Sequence, residues 1–203
     1  MPCVSERKKD YFYHKAKAEN FLARSVYKLQ EIDQKHRLIR PGMQVLDLGA
    51  SPGSWSQYVG SKVGPSGRVV GIDLHPVKVS LPNAVFVVAD LRGLELERVI
   101  VDAGIQPPVD LVISDMAPKT TGIRLTDQAR SQELCELAIA TADRWLKPGG
   151  ALVIKYFHSE GFEGLRDELR RKYQKVDVMR PKSTRSESKE IFLLGLGRHS
   201  LQA

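Results

Sequence analysis

Residues 44–53, Gln44-Val45-Leu46-Asp47-Leu48-Gly49-Ala50-Ser51-Pro52-Gly53, decide the fold. A short apolar run closes on Asp47 and Leu48 and gives way to a glycine-bounded loop, after which Ser54 to Lys62 reads as a helix. Strand, loop and helix in that order open an α/β sheet, whose ligand crevice lies beyond the carboxyl ends of the strands. Gly49 and Gly53 permit positive φ and a close backbone approach. The spacing is not G-x-G-x-x-G, and Pro52 withdraws an amide hydrogen that a phosphate cradle would use. A pyrophosphate ligand is therefore disfavoured, and a nicotinamide-dependent oxidoreductase with it.

Outward from this loop the same pattern repeats. Arg68 to Asp73, Ala84 to Asp90, Val109 to Asp115 and Ala151 to Phe157 are nearly continuous apolar runs, as expected of strands buried on both faces of a parallel sheet. Helical patterns separate them around Leu94 to Ala103, at Asp127 to Leu146 and at Gly161 to Tyr173, so α/β with right-handed crossovers is the economical topology. Near the end, Lys175 to Met179 and Ile191 to Gly197 are strand-like but joined by the polar stretch Arg180 to Lys189, which implies an antiparallel pair. A mostly parallel seven-stranded sheet with an antiparallel final strand is the methyltransferase pattern. Ahead of the sheet, Asn20 to Gln34 places Phe21, Leu22, Val26, Leu29 and Ile32 at helical spacing.

The 203 residues suit one compact domain, with residues 1–40 as a basic segment and helix and 41–203 as the catalytic body. No run of eighteen apolar residues occurs and the start of the chain is polar, so neither membrane insertion nor export is expected. Cys3 and Cys135 have no ligand spacing, so no disulfide or metal is expected, and a cytoplasmic monomer fits. The net charge of +7 is unevenly spread. Residues 1–40 hold ten Lys/Arg against five Asp/Glu, residues 165–203 again ten against five, and the middle eleven against fourteen. Basic flanks around a mildly acidic centre suit a polyanion lying across the flanks.

The acids of the centre fall at strand ends. Asp73 stands about twenty residues past the glycine loop, where a carboxylate accepts from both hydroxyls of an adenosine ribose, with Leu74 beside it. Asp90 and Leu91 close the third run, where an acid accepts from an adenine amino group and leucine packs on the ring. One such acid is an ordinary turn or cap residue; acids at successive strand ends combined with D-L-G-x-x-P-G form a pattern. Lys155 lies inside an apolar run close to its carboxyl end, and an unpaired ammonium buried there would be costly, so a functional role is favoured.

Five separated motifs together resemble the FtsJ-type ribose 2′-O-methyltransferases: Lys28 in the leading helix, D-L-G-A-S-P-G-S-W-S-Q-Y from Asp47 to Tyr58, S-D-M-A-P from Ser114 to Pro118, Lys155 in V-I-K-Y-F, and Glu190 in E-S-K-E-I-F. The resemblance runs from about Tyr11 to Arg198 and departs from the family at Ser54, where a second glycine is frequent. It implies S-adenosylmethionine as cofactor and a uridine of large-subunit ribosomal RNA as substrate. It also implies a tetrad of Lys28, Asp115, Lys155 and Glu190 with Lys155 as base, and a cofactor site formed by Gly49, Ser51, Pro52, Gly53, Trp55, Asp73, Leu74, Asp90, Leu91 and Asp115.

Moving a methyl group from a sulfonium to a hydroxyl is an in-line displacement that must also remove a proton. A lysine takes that proton only when neutral, which calls for burial or a neighbouring cation. Lys28 is the candidate for the cation, while Asp115 and Glu190 oppose the effect and hold the register. RNA contacts are expected from Arg7, Lys8, Lys9, Lys15, Lys17 and Arg24, interleaved with Tyr11, Phe12 and Tyr13 for stacking on bases, and from Arg180, Lys182 and Arg185 before the last strand. Ser114 to Arg124 reads as a mobile substrate loop. A non-catalytic RNA-binding protein would not need all four tetrad types. A uracil-carbon methyltransferase would need a nucleophilic cysteine, and Cys135 falls in a helix remote from the expected site.

Overall fold

Each apolar run of the sequence becomes a strand of one sheet in a computed structural model of the chain, which describes residues 4–93, 96–118, 121–157 and 161–200. The strands are β1 Gln44–Leu48, β2 Arg68–Asp73, β3 Ala84–Val88, β4 Val109–Ser114, β5 Leu146–Phe157, β6 Tyr173–Met179 and β7 Glu190–Arg198. The helices are α1 Val4–Ala18, α2 Val26–His36, α3 Ser54–Val63, α4 Leu96–Asp102, α5 Arg124–Trp145 and α6 Phe162–Lys172. The sheet order is β3-β2-β1-β4-β5-β7-β6. Pairs from β3 across to β5 are parallel, and β7 runs antiparallel to both β5 and β6. The expected sheet is borne out, with β7 inserted between its neighbours.

Strand order reverses between β1 and β4, so a crevice opens at their carboxyl ends. Alternation along the strands divides the core in two. Leu46, Leu48, Val70, Ile72, Val112, Leu152 and Ile154 face a cluster that includes residues of α4, α5 and α6. Val45, Val69, Leu111, Ile113, Val153 and Phe192 face Ala16, α2 and α3. Period-two alternation then puts Asp47, one residue from Leu46 and Leu48, on the α2–α3 face, and Lys155, two residues from Val153, on that same face.

The amino-terminal region corrects the sequence reading. The expected helix from Asn20 to Gln34 begins only at Val26, as α2, and a further helix that the sequence reading does not contain, α1, precedes it and ends at Ala18. Asn20 takes φ 60°, Phe21 N–H donates to Ala16 O at 2.8 Å and Asn20 N–H to Lys17 O at 3.3 Å. That is a Schellman stop, with asparagine in the left-handed position it tolerates better than most residues. The chain then restarts at Val26, and Phe12 of α1 packs on Tyr27 of α2 with ring centroids 5.3 Å apart.

Candidate active site

The glycine loop is held by its own strand ends. Gly49, at φ 78°, donates its N–H to Ile72 O at 2.8 Å, and a Cβ there would meet Met116 Cγ at 2.6 Å. Gly53, at φ 119°, is roofed by Val77 and Val79, whose methyls leave no room for a side chain. Asp73 ties the turn together, since its two carboxylate oxygens accept from Ser51 N–H at 3.0 Å and from His75 N–H at 2.7 Å.

Beyond these strand ends lies a cleft of about 690 Å³. Of the residues expected around a cofactor, Gly49, Ser51, Asp73, Leu74, Asp90, Leu91 and Asp115 line it. Pro52, Gly53 and Trp55 do not. Trp55 is buried, donates Nε1–H to Ser25 O at 2.9 Å and packs on Phe192 at 5.8 Å, so it braces α3 against α2 and β7. Met116, Arg130, Glu133 and Leu134 also line the cleft and were not anticipated. Three of these come from the flank of α5, which carries no motif and reaches the cleft only through packing.

The four tetrad residues gather as two ion pairs. Lys155 is 8% exposed, and its Nζ lies 2.9 Å from Asp115 Oδ1 and also donates to the Asp115 carbonyl. Lys28 Nζ pairs with Glu190 Oε1, both largely buried. Register places Lys155 opposite Phe192 and Phe157 opposite Glu190, so Lys155, Phe192 and Glu190 share one sheet face, and Lys28 Nζ stands 6.0 Å from the Phe192 ring. A carboxylate thus sits on each lysine, and the repulsion anticipated between the two ammonium groups is offset where it arises. Asp115 belongs to both assemblies: it lines the cleft and pairs with Lys155.

Asp47 adds a buried acid that carried no assigned role in the sequence. It is 0% exposed, its Oδ2 accepts from Ser56 Oγ at 2.6 Å, and its Oδ1 has no partner among the described residues. Burial pushes its carboxyl up to about 7, against the Ser56 hydrogen bond and with help from the negative charge of Asp115 and Asp73. The folded chain therefore keeps a proton that the unfolded chain releases near pH 4, the ordinary carboxylate value of about 3.9. Stability from this proton is complete below about pH 4 and is lost as pH rises to about 7. In urea melts, Asp47→Asn is expected to gain on the unsubstituted protein between those limits, by on the order of a few kcal/mol.

Residues expected to meet RNA have mixed placements. Arg7, Lys8 and Lys9 lie in α1, and their side chains fall outside the described residues. Tyr11 and Tyr13 are 60% and 58% exposed, whereas Phe12 packs inward. Lys15 pairs with Glu19 and lies over the Tyr27 ring, and Lys17 is exposed. Arg24 donates to Ser183 O at 2.7 Å from the segment ahead of α2, and Arg180 donates to the carbonyls of Arg185, Ser186 and Ser188, so the β6–β7 loop is braced from outside and from within. Lys182 and Arg185 remain exposed. In the loop 114–124, Lys119 and Thr120 lie outside the described residues, while Asp127 fastens the far end through the Thr121 and Gly122 amides.

Cys135 is nearer the site than its helix suggested: its Sγ donates to Lys155 O at 3.2 Å from beneath the sheet. Burial pushes the thiol up to about 12, which makes it a packing group instead of a nucleophile.

The model of the FtsJ-like methyltransferase family matches residues 21–198. The chain belongs to the FtsJ-like methyltransferases. A relative from Bdellovibrio bacteriovorus, ribosomal RNA large subunit methyltransferase E, is 60% identical over 190 residues, covering 94% of this chain and 97% of that one. Among solved structures, a Plasmodium falciparum protein assigned as a ribosomal RNA methyltransferase superposes with a TM-score of 0.76 at 24% identity, over 88% of this chain and 98% of its own. A fibrillarin from Aeropyrum pernix, solved with S-adenosyl-L-methionine bound, superposes at 0.59 with 17% identity, over 78% and 68% of the two chains. These two likenesses carry the fold.

The cofactor of this FtsJ-like methyltransferase is S-adenosylmethionine, and the cleft suits it. Asp73, Asp90 and Asp115 offer acceptors for hydroxyl and amino groups and for a positive centre. Leu74, Ala89, Leu91, Met116 and Leu134 offer apolar surface for a flat ring. The loop is poor for phosphate, because Pro52 has no N–H and the Ser51 N–H is already taken by Asp73.

Proposed function

We propose that the chain methylates the 2′-hydroxyl of a uridine ribose in large-subunit ribosomal RNA, acting as a cytoplasmic monomer on RNA assembled in the large ribosomal subunit. The observation that carries this reading is Asp115, one side chain shared between the cofactor cleft and the buried Lys155. When bound, S-adenosylmethionine would supply an electrophilic sulfonium methyl group, whose carbon the ribose oxygen attacks in line while the carbon–sulfur bond breaks and the neutral thioether leaves. Lys155 Nζ, once its ammonium has given up a proton to solvent, takes the hydroxyl proton as the oxygen attacks. Asp115 orients that amine through its carboxylate and its carbonyl, and the Lys28–Glu190 pair closes the opposite side of the sugar site. The names of the relatives support ribosomal RNA of the large subunit as the substrate.

The test is incubation of the protein with tritiated S-adenosylmethionine and unmodified large ribosomal subunits, followed by alkaline hydrolysis of the RNA. Label is expected in alkali-resistant dinucleotides, because a methylated 2′-oxygen cannot attack its phosphate. Label on a base, or no label in the alkali-resistant fraction, would overturn the proposal.

A further inference from the structure

A second, polar pocket of about 490 Å³ lies between α2 and α3, lined by Gln30, Asp33, Gln34, Arg37, Tyr58 and Lys62 among others. Both helices begin at the catalytic edge, where Ser25 Oγ and Ser54 Oγ meet at 3.1 Å, and Asp33 Oδ2 accepts from Tyr58 OH at 2.7 Å further along. The groove between them therefore leads away from the tetrad. From Lys28 to Arg37 the helix advances roughly 14 Å, the span of a few nucleotides.

Two features mark the pocket as more than a gap between helices. Arg37 and Lys62 are exposed and, among the described residues, neither has a carboxylate partner. The one acid in the pocket, Asp33, is buried with its oxygens held by Ile39 N–H and Tyr58 OH. Arg37 is also the helix cap of α2 in the left-handed conformation, at φ 53° and ψ 49°. A glycine or asparagine would occupy that position with less strain, by about 1 kcal/mol. The backbone there tolerates an arginine that it does not need.

We infer that this pocket is a subsite for the substrate RNA, in which Arg37 and Lys62 hold backbone phosphates a few nucleotides from the methylated ribose while Gln30 and Gln34 face an adjoining nucleotide. The inference rests on the RNA methylation proposed above. It makes Arg37 and Lys62 binding residues for the substrate, outside the catalytic machinery.

The test uses the full chain and unmodified large ribosomal subunits, with affinity for their RNA measured directly across a salt series and methylation of the same RNA measured beside it. For Arg37→Gly/Lys62→Gln, the RNA Kd is expected to rise about tenfold. The slope of log Kd against log salt should fall by about 1.4, the value for two phosphate contacts on a single strand. Cofactor affinity should not change, and Arg37→Gly alone should melt no lower than the parent because it relieves the cap. Unchanged RNA affinity and salt slope, with the parent still methylating the RNA, would overturn the inference and leave the proposed function standing. Failure of the parent to methylate the RNA at all would instead remove the function on which the inference rests.

Discussion

Lys155→Ala is expected to slow methyl transfer by roughly 10³-fold, the middle of the range for a general acid–base residue, while S-adenosylmethionine binds with nearly unaltered affinity. The separation follows from position. Lys155 stands behind the cleft wall, opposite Phe192 on the α2–α3 face, and is joined to the wall through Asp115. Single-turnover assays with tritiated cofactor read the first quantity and calorimetric titration the second. Lys155→Arg should fail to restore turnover, because a guanidinium does not surrender its proton in the accessible range. Both variants should fold, since Asp115 keeps some solvent contact and the strand retains its ladder with β7. Retained turnover in Lys155→Ala would remove this amine as the base.

That Lys155 was visible in the sequence at all has a physical cause. A parallel sheet covered on both faces makes its strands read as apolar runs, and a lysine inside such a run is conspicuous. The acids Asp73 and Asp90 were legible for the same reason: they end their runs, and the ends of parallel strands are where the crevice opens. Charged residues outside the sheet were another matter. Arg24 and Arg180 read as phosphate contacts because sequence reveals a guanidinium but not the carbonyls it meets, and here those are main-chain oxygens of the β6–β7 loop. The α5 wall of the cleft has no residue pattern that separates Glu133 or Leu134 from any other helical position. Helix α1 is hard to read because its polar composition shows little apolar periodicity, and its stop at Asn20 is set by backbone hydrogen bonds that no residue pattern announces. Asp47 stands in the glycine loop motif, yet its burial and the unpartnered state of its Oδ1 among the described residues depend on where α3 settles over the strand.

Asp115→Ala should injure both functions that Lys155→Ala separates. Asp115 lines the cleft, so its loss removes an acceptor for the cofactor; one charge-assisted hydrogen bond of about 1.5–3 kcal/mol corresponds to a roughly 10- to 100-fold weaker Kd for S-adenosylmethionine. It also leaves the buried Lys155 ammonium without its carboxylate, and a partner lost from such a pair typically costs about 3 kcal/mol, less here because Asp115 is 19% exposed. The turnover of Asp115→Ala should therefore fall as well, with Asp115→Asn intermediate because an amide retains the shape and one acceptor. The double variant decides whether the two residues act as a unit. If Asp115 serves transfer by orienting the Lys155 amine, then adding Asp115→Ala to Lys155→Ala lowers the single-turnover rate little further but still weakens cofactor binding by the full amount. Additive losses in the rate would mean that Asp115 contributes to the transfer step by itself, and an unchanged cofactor affinity in Asp115→Ala would show that its place in the cleft wall is one of packing alone.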